Sequence, residues 1–206
     1  MSIYFIEKLT QALRKPLPGK NIQRSMMIQT KTPLKKIDQK KSVPSAVLLL
    51  LFPQKNDWFF FLTKRTDKVE HHKGQISLPG GIVEYNETFE KTALRETYEE
   101  IGVPSDEINL VGALSSFYIP ISGFEIFPFV GWIKHKPKTT IQEDEVQKLL
   151  SVSLKDLLSD KSIRTKTSKL RGSSVDIPYF HLCNEMVWGA TSMILAEFKA
   201  IIKEAQ

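Results

Sequence analysis

The chain has 206 residues, of which 41% are hydrophobic, and its formal net charge is +6. The apolar fraction and the twelve Phe exclude a wholly disordered chain, and the single cysteine, Cys183, excludes an intramolecular disulfide and an all-cysteine zinc site. The net positive charge is compatible with a solvated surface, a nucleic-acid partner or a small anionic substrate, and it does not distinguish these three interpretations.

No segment of the sequence predicts a membrane span or an export signal. The longest purely apolar run extends from Ala46 to Pro53, well short of the ~20 residues that cross a bilayer. Glu7 and Lys8 interrupt the apolar N-terminal segment, which therefore does not resemble a signal peptide. We expect a cytoplasmic protein without membrane contacts, and both a monomer and a homodimer are compatible with the sequence.

The first predicted elements are a helix, a basic segment and a group of strands. Phe5, Leu9 and Leu13 recur every four residues and predict an amphipathic helix over 2–14. Residues 20–43 are polar, basic and irregular, so 1–43 is interpreted as an N-terminal extension of a domain at 44–206. Apolar and β-branched runs then predict strands at 46–52, 58–63 and 75–78.

The remaining elements are a second helix, further strands and a closing helix. The second helix is predicted over 88–101, because Gly102 and Pro104 are stop signals. Residues 159–174 are polar and basic and are predicted to form a loop. Further elements are predicted as strands at 110–118, 124–133 and 177–182, a strand edge with a short helix at 152–158, and a helix at 189–203. This order predicts an α+β fold or a layered αβα architecture.

Carboxylates cluster on one face of the second predicted helix. At about 100° per residue, Glu96, Glu99 and Glu100 fall within an arc of about 100°. Their mutual repulsion would be relieved by a hard cation such as Mg²⁺, which prefers oxygen ligands. Arg95 can pair with Glu99 or Glu87 and so orient these carboxylates. The alternative is an acidic helix, preceded by a glycine turn, that binds no metal.

The segment from Gly81 to Val103 resembles the signature of the Nudix hydrolases, G-x5-E-x7-R-E-U-x-E-E-x-G-U, in which U is a bulky apolar residue. Thr97 occupies the first apolar position and is the one departure. The resemblance implies an αβα sandwich around a mixed β-sheet, and hydrolysis of a nucleoside diphosphate linked to another group. It also implies a Mg²⁺ or Mn²⁺ cofactor.

The resemblance also implies roles for individual residues. Carboxylates and a glycine would bind the metal, namely Glu96, Glu99, Glu100 and Gly81. The same three glutamates would be catalytic. Glu87 and Arg95 would support the site structurally.

A second stretch resembles the extra signature of the coenzyme A pyrophosphatase branch, L-L-T-x-R-S-x3-R-x3-G-x3-F-P-G-G. Thr63, Arg65, Gly74 and residues 79–81 match it, whereas Glu70 stands where the branch has an arginine. The implied reaction splits coenzyme A, or an acyl derivative, into a phosphopantetheine and adenosine 3′,5′-bisphosphate. Residues of this stretch would contact the substrate, namely Arg65, Gly74, Gly80 and Gly81.

The sequence leaves more than one candidate for the general base and for the substrate. Glu145 is the first candidate for the base and Glu143 the second, and a glutamate of the helix is another possibility. An exposed acidic loop is the alternative for this segment. Cys183 has no base in its local sequence and is predicted to be a packing residue.

Two other functions compete with a coenzyme A pyrophosphatase. One is an ADP-ribose or dinucleotide pyrophosphatase, which would share the metal site and differ in the substrate walls. The other is a non-catalytic module of the same fold that binds a nucleotide or RNA. The three retained helix glutamates argue against the second alternative, and nucleic acid is disfavoured as a partner because no interleaved basic and aromatic motif is present.

Overall fold

The computed structural model describes residues 3–30, 41–66, 74–170 and 173–205. The helices are α1 (Ile3–Leu13), α2 (Lys20–Gln23), α3 (Phe89–Ile101), α4 (Leu154–Leu158) and α5 (Ala190–Ala205), with 3₁₀ turns at Arg24–Met26, Ser105–Glu107 and Asp160–Ser162. The strands are β1 (Gln29–Thr30), β2 (Val43–Gln54), β3 (Asp57–Arg65), β4 (Ile76–Ser77), β5 (Gly80–Ile82), β6 (Asn109–Ala113), β7 (Phe117–Ile119), β8 (Phe124–Trp132), β9 (Val146–Ser153), β10 (Ile163–Leu170), β11 (Ser173–Leu182) and β12 (Glu185–Val187).

Among the described residues, the larger of two sheets is mixed and contains eight strands. Its central order is β4-β3-β2-β8-β6, with β9 beside β3, β5 beside β2 and β7 beside β8. Strands β2 and β8 run parallel, whereas β2 pairs with β3 and β5 in the antiparallel sense. The smaller sheet has the order β1-β11-β10, with β12 on β11.

The central strand β2 is buried on both faces, which explains its nearly continuous apolar sequence. Leu49 and Leu51 belong to the core that also contains residues of α1 and α5, whereas Leu48 and Leu50 belong to the core beneath α3. Because successive side chains of a strand point to opposite faces, α3 lies on one side of the sheet and α1 with α5 on the other. This arrangement confirms the predicted αβα fold class.

A buried carboxylate joins the N-terminal segment to the C-terminal helix. Glu197 of α5 is fully buried and accepts hydrogen bonds from the Gly19 amide (3.1 Å) and the Gln23 side-chain amide (2.9 Å). It also accepts from the Ser115 amide, at 3.2 Å. Leu9 of α1 is buried in the same core as α5. Residues 3–26 are therefore part of the packed structure on this side of the sheet.

Some predicted elements differ from the structure. The loop prediction for 159–174 is wrong, because residues 163–170 form strand β10, which pairs with β11 in the antiparallel sense. Strand β10 lacks the alternation of apolar and polar residues that a half-buried strand shows, since most of its residues are exposed. The prediction of one strand over 110–118 is also wrong, since β6 and β7 are separate. Within 20–43, α2, a 3₁₀ turn and β1 replace irregular structure, and 31–40 lies outside the described residues.

The prediction that Cys183 is a packing residue is also wrong. Cys183 and Asn184 form the two-residue turn between β11 and β12, and both have positive φ angles, 50° and 61°. The thiol is free, and the residue is exposed. In the parts of the chain that the structure describes, no helix combines the length and the hydrophobicity needed to cross a membrane.

Candidate active site

Helix α3 begins and ends at clear capping residues. The Thr88 hydroxyl accepts a hydrogen bond from the Lys91 amide at 3.3 Å, as an N-cap residue does. Gly102 follows the helix with a φ of 73°, and its amide donates to the Tyr98 carbonyl at 2.8 Å. Ala93 and Ile101 are buried against the sheet. The caps and this buried face fix which side of the helix presents its carboxylates.

Two glycines bring β5 close to both β2 and α3. A Cβ atom at Gly80 would lie 2.6 Å from Val47 Cα of β2, and one at Gly81 would overlap the Glu96 carboxylate. Gly80 has no room for a side chain, because an added Cβ would overlap backbone atoms of β2, whereas an added Cβ at Gly81 would force the Glu96 side chain to move. The Gly81 carbonyl accepts a hydrogen bond from the Ser45 hydroxyl at 2.7 Å, and Gly81 pairs with Ala46 of β2.

Arg95 connects three carboxylates of the site. Its Nε and Nη2 donate to the two oxygens of Glu87 at 3.0 and 3.1 Å, which is a bidentate pair. Its Nη1 donates to Glu96 at 2.8 Å and to Glu99 at 3.0 Å. Nη2 also reaches the Ile82 carbonyl of β5 at 3.2 Å. One guanidinium thus holds the helix carboxylates against the strand that carries the two glycines.

Glu87 is fixed in its charged form. Hydrogen bonds from Arg95 lower the pKa of Glu87 to about 2, and the Thr92 hydroxyl, which donates at 2.6 Å, adds to this effect. The same contacts raise the pKa of Arg95. Glu87 therefore supports the site as the partner of Arg95.

The deeper helix carboxylates are poorly solvated. Burial raises the pKa of Glu100, which is 3% exposed, to about 8, although the Arg65 guanidinium opposes the rise. Glu100 accepts a hydrogen bond from the Thr63 hydroxyl at 3.2 Å, and the Gly80 amide lies 3.5 Å away. Burial also raises the pKa of Glu96, against the opposing effect of Arg95. A cation would stabilise the charged form of both carboxylates.

Glu145 lies beside this group of carboxylates. Its negative charge contributes to the raised pKa of Glu96, as does that of Glu99. Glu145 ends the acidic segment 142–145. At the start of this segment, the Gln142 amide donates a hydrogen bond to the Glu100 carbonyl at 3.0 Å. Glu143 is exposed in the same segment. The structure therefore brings Glu145 to the site predicted from sequence.

The carboxylates suit a divalent cation chemically but do not form a closed cluster. Within the described ranges, no three side chains of His, Cys, Asp or Glu converge into a group that could hold a metal ion. Glu96 and Glu99 instead share the Nη1 atom of Arg95, so a positive group already lies between them. Carboxylate oxygens with a backbone carbonyl are the hard ligands that Mg²⁺ and similar ions prefer. The donor chemistry fits such a cation.

The residues predicted to bind substrate lie around the same carboxylates, as far as the structure describes them. Arg65 ends β3, acts on Glu100 electrostatically, and has a buried Nε without a hydrogen-bond partner among the described residues. Gly74, with a φ of 65°, donates from its amide to the Arg65 carbonyl at 3.2 Å. Glu70 lies outside the described residues. Sequence reasoning missed Thr66, whose hydroxyl contacts the acidic segment, although it stands at the serine position of the branch signature.

Gly81→Ala is expected to displace the Glu96 carboxylate, because the added Cβ would overlap it. A shift of about 1 Å in a catalytic group can cost about 10²-fold in rate, so turnover should fall by about that factor while the protein stays folded. Steady-state kinetics and thermal unfolding measure both quantities. Gly189→Ala is the control, because its added Cβ meets nothing within 4 Å, although its φ of 66° will cost some stability. Wild-type turnover in Gly81→Ala would contradict the described packing.

Comparison with known proteins agrees with this geometry. A family model described as NUDIX domain matches residues 42–170. Nudix hydrolase 3 of Caenorhabditis elegans is 29% identical over 150 residues, which cover 65% of this chain and 62% of that protein. This chain thus spans less than two thirds of that relative. Nudix hydrolase 15, mitochondrial, of Arabidopsis thaliana is 30% identical over 195 residues, which cover 90% of this chain and 68% of that protein.

A bacterial relative and a solved structure extend the comparison. The uncharacterized Nudix hydrolase NudL of Pectobacterium atrosepticum is 26% identical over 183 residues, covering 86% of this chain and 91% of that protein. The crystal structure of a MutT/nudix family protein from Enterococcus faecalis matches with a TM-score of 0.53 and 18% identity, over 96% of this chain and 74% of that one, and shows a shared fold. The chain belongs to the Nudix hydrolases, enzymes that act on nucleoside diphosphate derivatives and generally need a divalent metal cation.

Proposed function

We propose that this protein hydrolyses the diphosphate of coenzyme A or of an acyl derivative, with Mg²⁺ or Mn²⁺ as cofactor. Water adds to one phosphorus atom, the P–O bond of the anhydride breaks, and the products are a phosphopantetheine and adenosine 3′,5′-bisphosphate. The observation that carries the proposal is the buried Nε of Arg65, which has no hydrogen-bond partner among the described residues and belongs to the strand that also holds Glu100 through Thr63. A donor in this position suits a phosphate oxygen.

The metal would be held by Glu96, Glu99 and Glu100 together with the Gly81 carbonyl. When bound, it would neutralise the diphosphate, polarise the P–O bond and lower the pKa of the attacking water. Arg95 keeps Glu96 and Glu99 on the same side of α3, within hydrogen-bonding distance of one nitrogen atom. Glu87 keeps the guanidinium in place through its bidentate pair. These contacts would limit the rearrangement that metal binding requires.

Glu145 is proposed as the general base. It is exposed, so its carboxylate can reach a water molecule, and its charge acts on Glu96 at the edge of the site. It would accept the proton that the attacking water loses. Glu143 is the second candidate, since it is exposed in the same turn.

The substrate would be recognised by phosphate contacts and by close approach of the backbone. Arg65 would donate to the diphosphate, and Gly80 and Gly81 would let the chain approach it without a side chain in between. The Gly74 amide donates to the Arg65 carbonyl and would fix the backbone at Arg65. Coenzyme A carries a further phosphate on its ribose, which fits a chain with a formal net charge of +6.

A substrate panel tests the proposal. Coenzyme A, ADP-ribose, NADH and dinucleoside polyphosphates are incubated with the protein and Mg²⁺ or Mn²⁺, and coenzyme A is expected to give the highest kcat/KM. 3′-Dephospho-coenzyme A is the matched control, because it lacks only the ribose phosphate and should be the poorer substrate. Glu100→Gln protein, prepared in parallel, excludes a contaminating phosphatase. A clear lead for ADP-ribose or a dinucleotide would refute the coenzyme A assignment and favour the alternative enzyme.

A further inference from the structure

The turn that carries Glu145 is tied to two different elements. We call residues 142–145 the acidic turn. On one side, the Gln142 amide donates to the Glu100 carbonyl at 3.0 Å, and the neighbouring Thr140 amide donates to the Ile101 carbonyl at 3.0 Å. These bonds satisfy carbonyls that the end of α3 leaves unpaired. On the other side, the acidic turn is bound by Thr66, directly after β3.

Electrostatics opposes this position of the acidic turn. The C-terminal end of a helix carries partial negative charge, and the acidic turn, which contains Glu143, Asp144 and Glu145, lies against that end of α3. Glu145 additionally repels Glu96. Without a cation, like charges would drive the turn outward, so specific hydrogen bonds are needed to hold it.

Thr66 supplies two of these hydrogen bonds. Its amide donates to the Glu145 carbonyl at 2.9 Å, and its hydroxyl donates to the Asp144 carbonyl at 2.9 Å. Any residue except proline could supply the amide, whereas the hydroxyl depends on the side chain. Thr66 is 6% exposed, so water has little access to replace a lost hydroxyl.

We propose that Thr66 is a positioning residue for hydrolysis, whose hydroxyl holds the acidic turn so that Glu145 faces Glu96. The inference rests on the proposed role of Glu145 as general base. Thr66 acts through the turn and does not contact the reacting atoms. Thr66 thereby links the strand that ends at Arg65 to the acidic turn that carries the proposed base. Arg65, the proposed phosphate contact, and Glu145, the proposed base, are then fixed relative to each other.

Thr66→Val removes the hydroxyl and keeps the shape of the side chain. We expect kcat to fall by about tenfold, as for other partners that orient a catalytic group, with KM changed by less than about twofold. Thr66→Ser restores the hydroxyl and should recover most of the rate. Ser162→Ala is the control, because Ser162 is 5% exposed and its hydroxyl also donates to a backbone carbonyl, that of Leu157 at 3.1 Å, on the side of the sheet opposite α3.

A second readout uses the metal-free protein and does not depend on activity. Amide hydrogen exchange is followed by NMR, and Thr66→Val should lower the protection of the Thr66 and Glu145 amides by about tenfold. Ser162→Ala should leave both amides as protected as in the wild type. Unchanged protection in Thr66→Val would overturn the claim that the hydroxyl holds the turn.

A double-mutant cycle separates this inference from the proposed function. In a Glu145→Gln background, Thr66→Val should change kcat by less than about twofold, because the group it positions is already lost. The same tenfold loss in that background would overturn the inference and leave the base assignment standing. Wild-type kcat in Glu145→Gln would overturn both. If the wild-type protein hydrolysed no diphosphate in the panel, the proposed function would fail, and hydrogen exchange would still decide whether Thr66 holds the turn.

Discussion

Glu99→Gln and Glu100→Gln are each expected to lower kcat/KM by about 10³-fold or more. Each change removes one negative oxygen ligand from the proposed metal site, and the charge stabilisation that such a metal supplies is worth several kcal/mol. Steady-state kinetics over a range of Mg²⁺ and Mn²⁺ concentrations measures the loss. Glu90→Gln is the matched control, because Glu90 is an exposed glutamate in the first turn of the same helix. Near-normal activity in both site variants would refute the metal-site assignment.

Folding of the Glu100 variant can be checked through the pH dependence of its stability. Burial raises the pKa of Glu100 in the metal-free protein to about 8, from an ordinary value of 4.5. A raised pKa means that the contribution of this group to stability is complete below pH 4.5 and is lost as the pH rises through 8. Glu100→Gln keeps a neutral side chain at every pH, so its unfolding free energy should decline less between pH 5 and 9. Parallel declines in urea unfolding would contradict this assignment.

Arg95→Met is expected to cost about 2 to 3 kcal/mol of unfolding free energy in the metal-free protein. This loss of unfolding free energy is smaller than the loss expected when a fully buried ion pair is broken, because the Arg95 side chain is 23% exposed. The loss would leave Glu87, Glu96 and Glu99 without their shared partner. Added Mg²⁺ should recover part of the stability, since a cation can neutralise the same carboxylates.

Two variants make the Arg95 measurement specific. Arg95→Lys keeps the charge and loses the planar fork, so it should be intermediate. Lys203→Met removes the partner of Asp160 from an exposed pair at 2.9 Å, which should leave the unfolding free energy nearly unchanged. Equal unfolding midpoints for Arg95→Met and Lys203→Met would show that the guanidinium does not hold the three carboxylates together.

Local signals explain why the central helix was predictable. Gly102 marks the end of α3, and the apolar residues Ala93 and Ile101 mark its buried face, so the carboxylate face followed from helical spacing alone. The roles of Glu96, Glu99 and Glu100 as metal ligands stay predictions. The Arg95 variants test whether the guanidinium holds Glu96 and Glu99 together, and the Glu99→Gln and Glu100→Gln variants test the metal-site assignment.

Contacts between distant parts of the chain were not predictable in the same way. Strand β10 is polar on both faces, so its sequence carries no period-2 apolar signal and predicts a loop instead. Thr66 and the Asp144 carbonyl are 78 positions apart, and no pattern in one sequence relates them. The turn at Cys183 has positive φ angles, which asparagine and glycine normally adopt. A cysteine is therefore no sequence signal for such a turn, and the sequence predicts a packing residue instead.

The buried Glu197 carboxylate has a practical consequence for fragments of this protein. The family model begins at residue 42, whereas two of the groups that donate to Glu197 belong to Gly19 and Gln23. A fragment that began at residue 42 and kept α5 would leave the Glu197 carboxylate, buried in an apolar layer, without these two donors, and would uncover the α5 surface that Leu9 now covers. The stretch that the family model matches is therefore shorter than the packed structure, and expression should start upstream of α1.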